Sequence, residues 1–287
     1  MAVFNTEFLF DGEGDEGQAT FDWKGDPAKA REHMTRVGEV IRRVDADVIM
    51  LVEVENKGVL DALIAGPLAG MGYSAHFVQG NDRFTGQDMG LLSRIPVEAT
   101  GRTDERAPLP GSPTETYGVS KNLWARVSIG GVPTTIVGFH FLSQPDNAER
   151  KPSREAQAEV IRRLIAAEQA AGREVIALGD YNDFDDTVLD RRGNRPITNV
   201  NATIKRGADG ADNDLKNVMA EVPVNERFSN FYDRNRNERI EEGELGAIDH
   251  VLVSPGLYRR IREVRFVHTH DPRTVTDHFP ISVTFAR

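Results

Sequence analysis

Three short motifs place carboxylates, amides or imidazoles at the mouths of apolar runs. Gly179-Asp180-Tyr181-Asn182-Asp183 follows Val175-Ile176-Ala177-Leu178, and Thr276-Asp277-His278-Phe279-Pro280 precedes Ile281-Ser282-Val283-Thr284-Phe285. Ile248-Asp249-His250 leads into Val251-Leu252-Val253. Hard oxygen ligands suit a divalent metal, and an imidazole suits proton transfer, so the set fits chemistry at a phosphate. One Gly-Asp turn is common in any α/β protein. Three strand-end motifs in one chain point to a site.

A fourth motif has a different chemistry. Residues 233–244 set Asp233, Asn235, Asn237 and Glu244 at positions 1, 3, 5 and 12 of a calcium loop. Position 7 offers the backbone carbonyl of Arg239, and Ile240 is the apolar residue at position 8. Position 6, where the sharp turn wants glycine, carries Glu238. A left-handed residue there costs on the order of 1 kcal/mol, which lowers affinity without forbidding the ion. The flanks look like a hairpin insert rather than two helices. The reading is a structural Ca²⁺ site, against the plainer one of an Asn-rich solvated turn.

Positioning these groups requires alternating strands and helices. Residues 27–44 carry Met34, Val37, Val40, Ile41 and Val44 at helical spacing, with Asp26 as N-cap and Pro27 in the first turn. Residues 153–171 predict a second helix, with Ser153 as N-cap and Gly172 as terminator. Residues 47–54 form an apolar run broken by Glu53, as a buried strand does. Further strands are expected near 89–93, 122–129, 133–139, 174–179, 248–253, 263–268 and 281–285, and Gly130-Gly131 signals a hairpin. The stretches 102–120 and 185–217 read as long loops, which in compact domains are often functional. No composition break marks a linker, so one domain over 1–287 is expected, with the possible calcium insert at 233–244.

The chain has 287 residues, a formal charge of −10 and no cysteine. That excludes disulfides and thiolate metal sites. It also argues against a dedicated non-specific nucleic-acid binder, though not against a nucleic-acid substrate held by a local basic rim. No apolar stretch reaches the roughly 20 residues of a membrane span. The N-terminus shows no signal-peptide pattern. The expectation is a secreted or periplasmic protein if Met1 caps a trimmed mature chain, and a cytoplasmic one otherwise. No obligate protein partner is evident.

Taken in order, Asn5, the 47–53 run, Gly90-Leu91-Leu92-Ser93-Arg94, Gly138-Phe139-His140-Phe141-Leu142-Ser143 and the three strand-end motifs resemble the endonuclease/exonuclease/phosphatase superfamily. The resemblance runs from residue 3 to residue 286. It implies a deoxyribonuclease-I-like fold, a four-layer α/β sandwich of two packed, mainly antiparallel sheets flanked by helices. It also implies that Glu53 binds metal, with Asn5 supporting the metal site and Asp277 as a further carboxylate on that side. Asp180 and Asn182 match the pair that holds the attacking water and phosphoryl oxygens. His278 matches the histidine at the scissile phosphate, Asp249 the carboxylate that orients it, and His140 a second phosphate-side histidine. The oxygen-rich set points to Mg²⁺ or Mn²⁺.

One departure stands out. The segment His140-Phe141-Leu142-Ser143 lacks the lysine that bacterial relatives often place there. Asp88, Arg94 and Lys121 are candidates for substrate contact, the last two as replacement cations. The remaining histidines, His33, His76, His250, His268 and His270, read as structural. The reaction implied is metal-assisted, in-line attack of water on a P–O bond, with a phosphodiester, nucleic acid or small molecule, as the expected substrate. Alternatives are a phosphomonoesterase, a sphingomyelinase-like lipid phosphodiesterase, and a non-catalytic binding member of the fold. Arg191, Arg192, Arg195, Lys205 and Arg206 add local positive charge after Asp180, read more simply as a solvated loop.

Overall fold

A computed structural model describes residues 1–14, 17–112, 114–208 and 210–286. The first half runs β1 (Ala2–Leu9), α1 (Pro27–Val44), β2 (Val48–Val54), α2 (Lys57–Ala65), β3 (Ser74–Phe77), β4 (Asp88–Ser93) and β5 (Val97–Gly101). A small hairpin, β6 (Arg106–Pro108) and β7 (Thr116–Gly118), precedes β8 (Lys121–Ile129) and β9 (Val132–His140). Next come α3 (Lys151–Ala170), β10 (Glu174–Asp180), α4 (Val200–Lys205) and β11 (Lys216–Asn217). The chain closes with β12 (Asn230–Phe231), β13 (Leu245–Gly246), β14 (Asp249–Val253), α5 (Pro255–Tyr258), β15 (Ile261–Phe266) and β16 (Ile281–Phe285).

Two six-stranded sheets form, in the orders β15-β16-β1-β2-β4-β3 and β11-β14-β10-β9-β8-β5. Each has one parallel pair, β1 with β2 and β9 with β10, among antiparallel neighbours. The expected four-layer sandwich of mainly antiparallel sheets is therefore present, each sheet made mixed by its one parallel pair. Strand alternation builds three apolar layers. Val48, Met50 and Val52 meet Leu123, Ile136, Ile176, Leu178 and Val251 between the sheets. Ile49 and Leu51 face outward under α1 and α2, and Val137, Phe139, Val175 and Ala177 face outward under α3 and α4.

Helix α1 forms as its sequence predicts. The Asp26 carboxylate accepts from the amides of Ala28 and Lys29, and Val37, Ile41 and Val44 are buried. Helix α3 begins at Lys151, two residues before the expected start, and Ser153 is not its cap. Pro152 falls in the first turn, where its missing N–H costs nothing, so the helix extends back past it. Helix α2 had no strong periodic signal. It is nine residues long, and Asn56 caps it by accepting from the Val59 amide. The stretches read as long loops hold the β6–β7 hairpin and α4, whose Val200 and Ile204 pack in an outer layer. Among the described residues no helix is long and apolar enough to cross a membrane.

Candidate active site

The second sheet carries a single row of reactive side chains across four strands. Lys121 pairs in register with His140, His140 with Asp180, and Asp180 with Asp249. Paired residues on adjacent strands point to the same face. That face is the inner one, because Leu123, Ile136, Leu178 and Val251 share it. The row thus continues the buried core to the sheet edge and ends it in polar groups. His250, one residue out of phase, lies against Tyr181 and the Asp183 carbonyl.

The first sheet supplies its groups less regularly. Asn5 shares the inner parity of Val3. Its amide nitrogen donates to Glu53 Oε1 at 3.3 Å and Asp180 Oδ2 at 3.2 Å, while its oxygen accepts from the Glu7 amide. Glu53 does not follow alternation. Val52 faces inward and Val54 outward, with pairing shifted on both sides and Glu53 at φ 66°. This β-bulge turns the carboxylate into the cleft, where Oε2 accepts from the Phe8 amide at 3.1 Å. Gly179 is equally constrained, because a Cβ at its φ of 145° sits 1.9 Å from the Phe139 carbonyl oxygen.

His278 meets Asp249 through Nδ1 and Oδ2 at 2.7 Å, and its Nε2 lies 3.9 Å from Asp180 and 3.6 Å from Asp277. Ser229 donates to the same Asp249 oxygen at 2.8 Å. Asp249 thereby fixes the Nδ1–H and the ring orientation, leaving Nε2 toward the cleft. His140 Nε2 lies 3.5 Å from Asp180 Oδ2. Asn182 is left-handed at φ 49°; its amide N–H donates to Asp180 Oδ1 at 2.7 Å and its side chain to the Phe141 carbonyl.

Burial dominates the electrostatics. Desolvation and the Asp249 charge push Asp180 up to about 7. Desolvation, with Asp277 and Glu53 adding repulsion, pushes Glu7 up to about 8, and Glu53 is also raised by burial. Burial opposes a charged His278, but Asp249 and Asp277 overcome it and hold the imidazole well above the usual histidine range. Burial and the Lys121 charge drive His140 the other way. Two imidazoles beside one carboxylate are thus shifted in opposite directions.

The sequence-predicted residues Glu53, Lys121, His140, Asp180, Asn182, Asp277 and His278 all line one cleft of about 810 Å³. Asn5 and Asp249 support it from beneath. Lys121 is gripped by Asp82 at 3.1 Å and Gln87 at 2.7 Å. Two candidates are not brought there. Arg94 pairs with Asp45 and stacks 4.5 Å over Tyr73, beyond the opposite end of β4. Asp88 pairs with Val54 past the bulge, and its carboxylate accepts from Gln79 beneath the loop that carries Asp82. The basic cluster is also dispersed: Lys205 is paired with Asp185 and Asp186, and Arg191 with Glu242.

Sequence reasoning missed Glu7, Ser229 and Arg154. Glu7 lines the cleft, but its left-handed backbone at φ 49° breaks the strand's alternation, so its spacing from Asn5 did not mark it. Arg154 is fully buried and donates to the carbonyls of Tyr181 and Asn182, fixing the 180–183 turn. Nothing local marks Ser229 or Arg154, since their partners are remote in sequence.

The residues present fit a divalent cation. Burial raises Glu7 and Glu53 against ionisation, the Asp277 charge adds to both and Glu53 adds to Glu7, while His140 Nδ1 is buried with no hydrogen-bond partner, 3.9 Å from Glu53. Asp180, Asp249 and His278 also converge, with ligand atoms within 4.8 Å of one another. Asp249 Oδ2 is already committed to His278 and Ser229, so the Glu53 side is the better seat for the ion.

The calcium-loop residues lie outside this cleft, in a turn closed by β12 and β13. Asp233 accepts from the amides of Asn237 and Glu238, Asn235 from Asn237, and Asn237 from Arg239. Glu238 adopts φ 59°. Ile240 is exposed rather than anchored.

The two packed six-stranded sheets with flanking helices are the deoxyribonuclease-I-like architecture, and its cleft holds residues that fit a divalent cation. The chain belongs to the Endonuclease/Exonuclease/phosphatase family, whose sequence profile matches residues 2–278. By fold it is similar to the 3′-5′ exonuclease NExo of Neisseria meningitidis, at 16% identity and TM-score 0.65, covering 100% of this chain and 99% of that one. It is similar to an endonuclease/exonuclease/phosphatase of Bacteroides vulgatus (18%, TM-score 0.64, 99% and 98% covered). An AP endonuclease of Archaeoglobus fulgidus aligns likewise (17%, TM-score 0.63, 100% and 98% covered). No curated protein matches the sequence.

Proposed function

We propose that this chain hydrolyses phosphodiesters, with a nucleic acid or nucleotide-containing ester as substrate and Mg²⁺ or Mn²⁺ as the ion. The observation that carries the reading is the Asp249–His278 pair, 2.7 Å apart, set beside Asp180 at the end of the in-register row. Glu53, with Asp277 and Glu7, would hold the cation, which supplies charge neutralisation at the phosphate. Asp180, poised near neutrality by burial, takes the proton of the attacking water while Asn182 holds a phosphoryl oxygen. His278, kept protonated by Asp249, donates to the charge that develops on phosphate oxygen.

The rim supports a nucleotide. Arg83 and Arg150 line the cleft and form no ion pair among the described residues, so both are available to phosphate oxygens. Phe84, 65% exposed on the same rim, offers a face on which a base stacks. The Neisseria relative is described as a 3′ phosphatase bound to a product DNA hairpin, which keeps the monoester reading in play.

The test is one activity panel run with Mg²⁺, Mn²⁺ and Ca²⁺. It comprises plasmid DNA, single strands, RNA, a chromogenic diester, a chromogenic monoester and a choline phospholipid. Diester cleavage that requires added metal is expected. Full activity in excess chelator after exhaustive dialysis overturns metal dependence, and turnover of the monoester alone overturns the diesterase reading.

A further inference from the structure

We propose that residues 233–244 form a calcium site that braces the segment carrying His278. The decisive observation is Glu244. It is 7% exposed. Its Oε1 accepts from the Arg234 amide at 3.0 Å, but its Oε2 is buried with no hydrogen-bond partner. A buried carboxylate oxygen without a donor is costly, and a coordinating cation removes that cost. Glu244 stands at position 12, where a calcium loop uses both oxygens of one glutamate.

The other donors are already turned the right way. The side-chain nitrogens of Asn235 and Asn237 are taken by Glu241, at 3.2 and 2.9 Å. That leaves both amide oxygens turned to the loop backbone, where Asn235 accepts from the Asn237 amide and Asn237 from the Arg239 amide, each with a second lone pair for a cation. The loop carries five acids against three arginines, so its local charge attracts a cation. An all-oxygen protein cage with one bidentate carboxylate favours Ca²⁺ over Mg²⁺, which prefers to keep its waters. Ile240 is exposed and so is not packed against a partner loop as position 8 of a paired calcium loop would be.

The loop is tied to the catalytic segment through its stem. Tyr232 donates its amide to the Glu244 carbonyl at 2.9 Å. The next residue back, Phe231, donates to the Asp277 carbonyl at 2.7 Å, and Phe279 donates to the Ser229 carbonyl at 2.6 Å. Asn230 bridges His278. An ion that closes the loop therefore fixes β12, and β12 fixes the backbone on both sides of the imidazole.

The experiment compares the full chain with an Asp233→Asn/Glu244→Gln variant, whose amides keep the shape and an acceptor oxygen at each position. In 10 mM CaCl₂ the parent should melt roughly 2–4 °C higher relative to the variant than it does in chelator, as a site of millimolar affinity requires. Amide exchange at Phe231 and Phe279 should slow on adding calcium in the parent alone. No calcium-dependent difference between the two proteins overturns the site, as does a larger shift with MgCl₂. Protection of Phe231 and Phe279 that does not change with calcium overturns the brace. Should the double variant not fold, Asn235→Ala, at an exposed position, serves the same comparison and must shrink the calcium shift.

Discussion

The two sheets build the same cleft by opposite means. The second sheet is regular at the site: Lys121, His140, Asp180 and Asp249 sit on consecutive ladder pairs, and alternation alone aims them inward. The first sheet is irregular there. Glu7, Phe8 and Glu53 all have positive φ, and the β1–β2 and β2–β4 pairings both shift at the bulge. Regular strands suit groups that must keep a fixed mutual spacing for proton transfer. The bulge frees a carboxylate from the pleat and lets three acids from the first sheet's edge converge, which ladder geometry forbids. Strain at such positions is held by surrounding structure, here by Asn5 linking Glu53 to Asp180.

If this division is right, damage to the row and damage to the bulge have different kinetic signatures. His278→Ala should lower turnover at saturating metal by roughly a hundredfold to a thousandfold. Rapid-quench or steady-state kinetics checks it, and a loss under about tenfold would displace His278 from the chemistry.

The next effect is on folding. His33 is buried, donates to the Thr6 carbonyl at 2.8 Å and stacks on Trp23, holding β1 just beyond Asn5. Burial lowers its pKa to about 4. The folded value lies below the unfolded one, near 6.5. Stability is therefore complete above about pH 6.5 and falls as the unfolded chain takes up a proton, levelling off near the folded value. The loss amounts to about 3 kcal/mol. Between pH 7.5 and pH 4.5, urea unfolding should show a stability change that differs between the parent and His33→Gln by roughly that amount, the parent losing more. Equal pH dependence in both would remove His33 as the cause.

Glu53→Gln should act on the metal rather than on turnover. The metal concentration for half-maximal rate should rise about tenfold or more, and high metal should restore much of the rate. Small, equal losses in Glu53→Gln and His278→Ala would mean that the cleft is not the site.

The smallest effect is expected at Arg94. Its removal should cost about 0.5–1 kcal/mol of stability, from the stack on Tyr73 and the exposed pair with Asp45. kcat/KM should be unchanged. A tenfold drop would contradict its placement at the far end of β4.

Much of this arrangement was legible in the sequence. Apolar alternation and strand-end polar residues are local signals, so β2, β8, β9, β10, β14 and β16, and the groups at their ends, could be read before any folding was known. Helix α1 was equally legible, because its cap and its apolar stripe lie within the same 19 residues, Asp26 to Val44. The order of the motifs carried the family and the fold. What the sequence could not show was the aim of individual side chains. Strict alternation sends Glu53 to the outer face, and only the bulge against β1 and β4 turns it in. Arg94 and Lys121 were equal candidates as cations, yet one lies at each end of the molecule, because direction along a strand decides which end of the sheet a residue reaches. Ser229 and Arg154 gained their roles from partners 20 and 28 residues away, Asp249 and Asn182. Hydrogen bonds of that kind exist only once the chain has closed on itself, so no local pattern announces them.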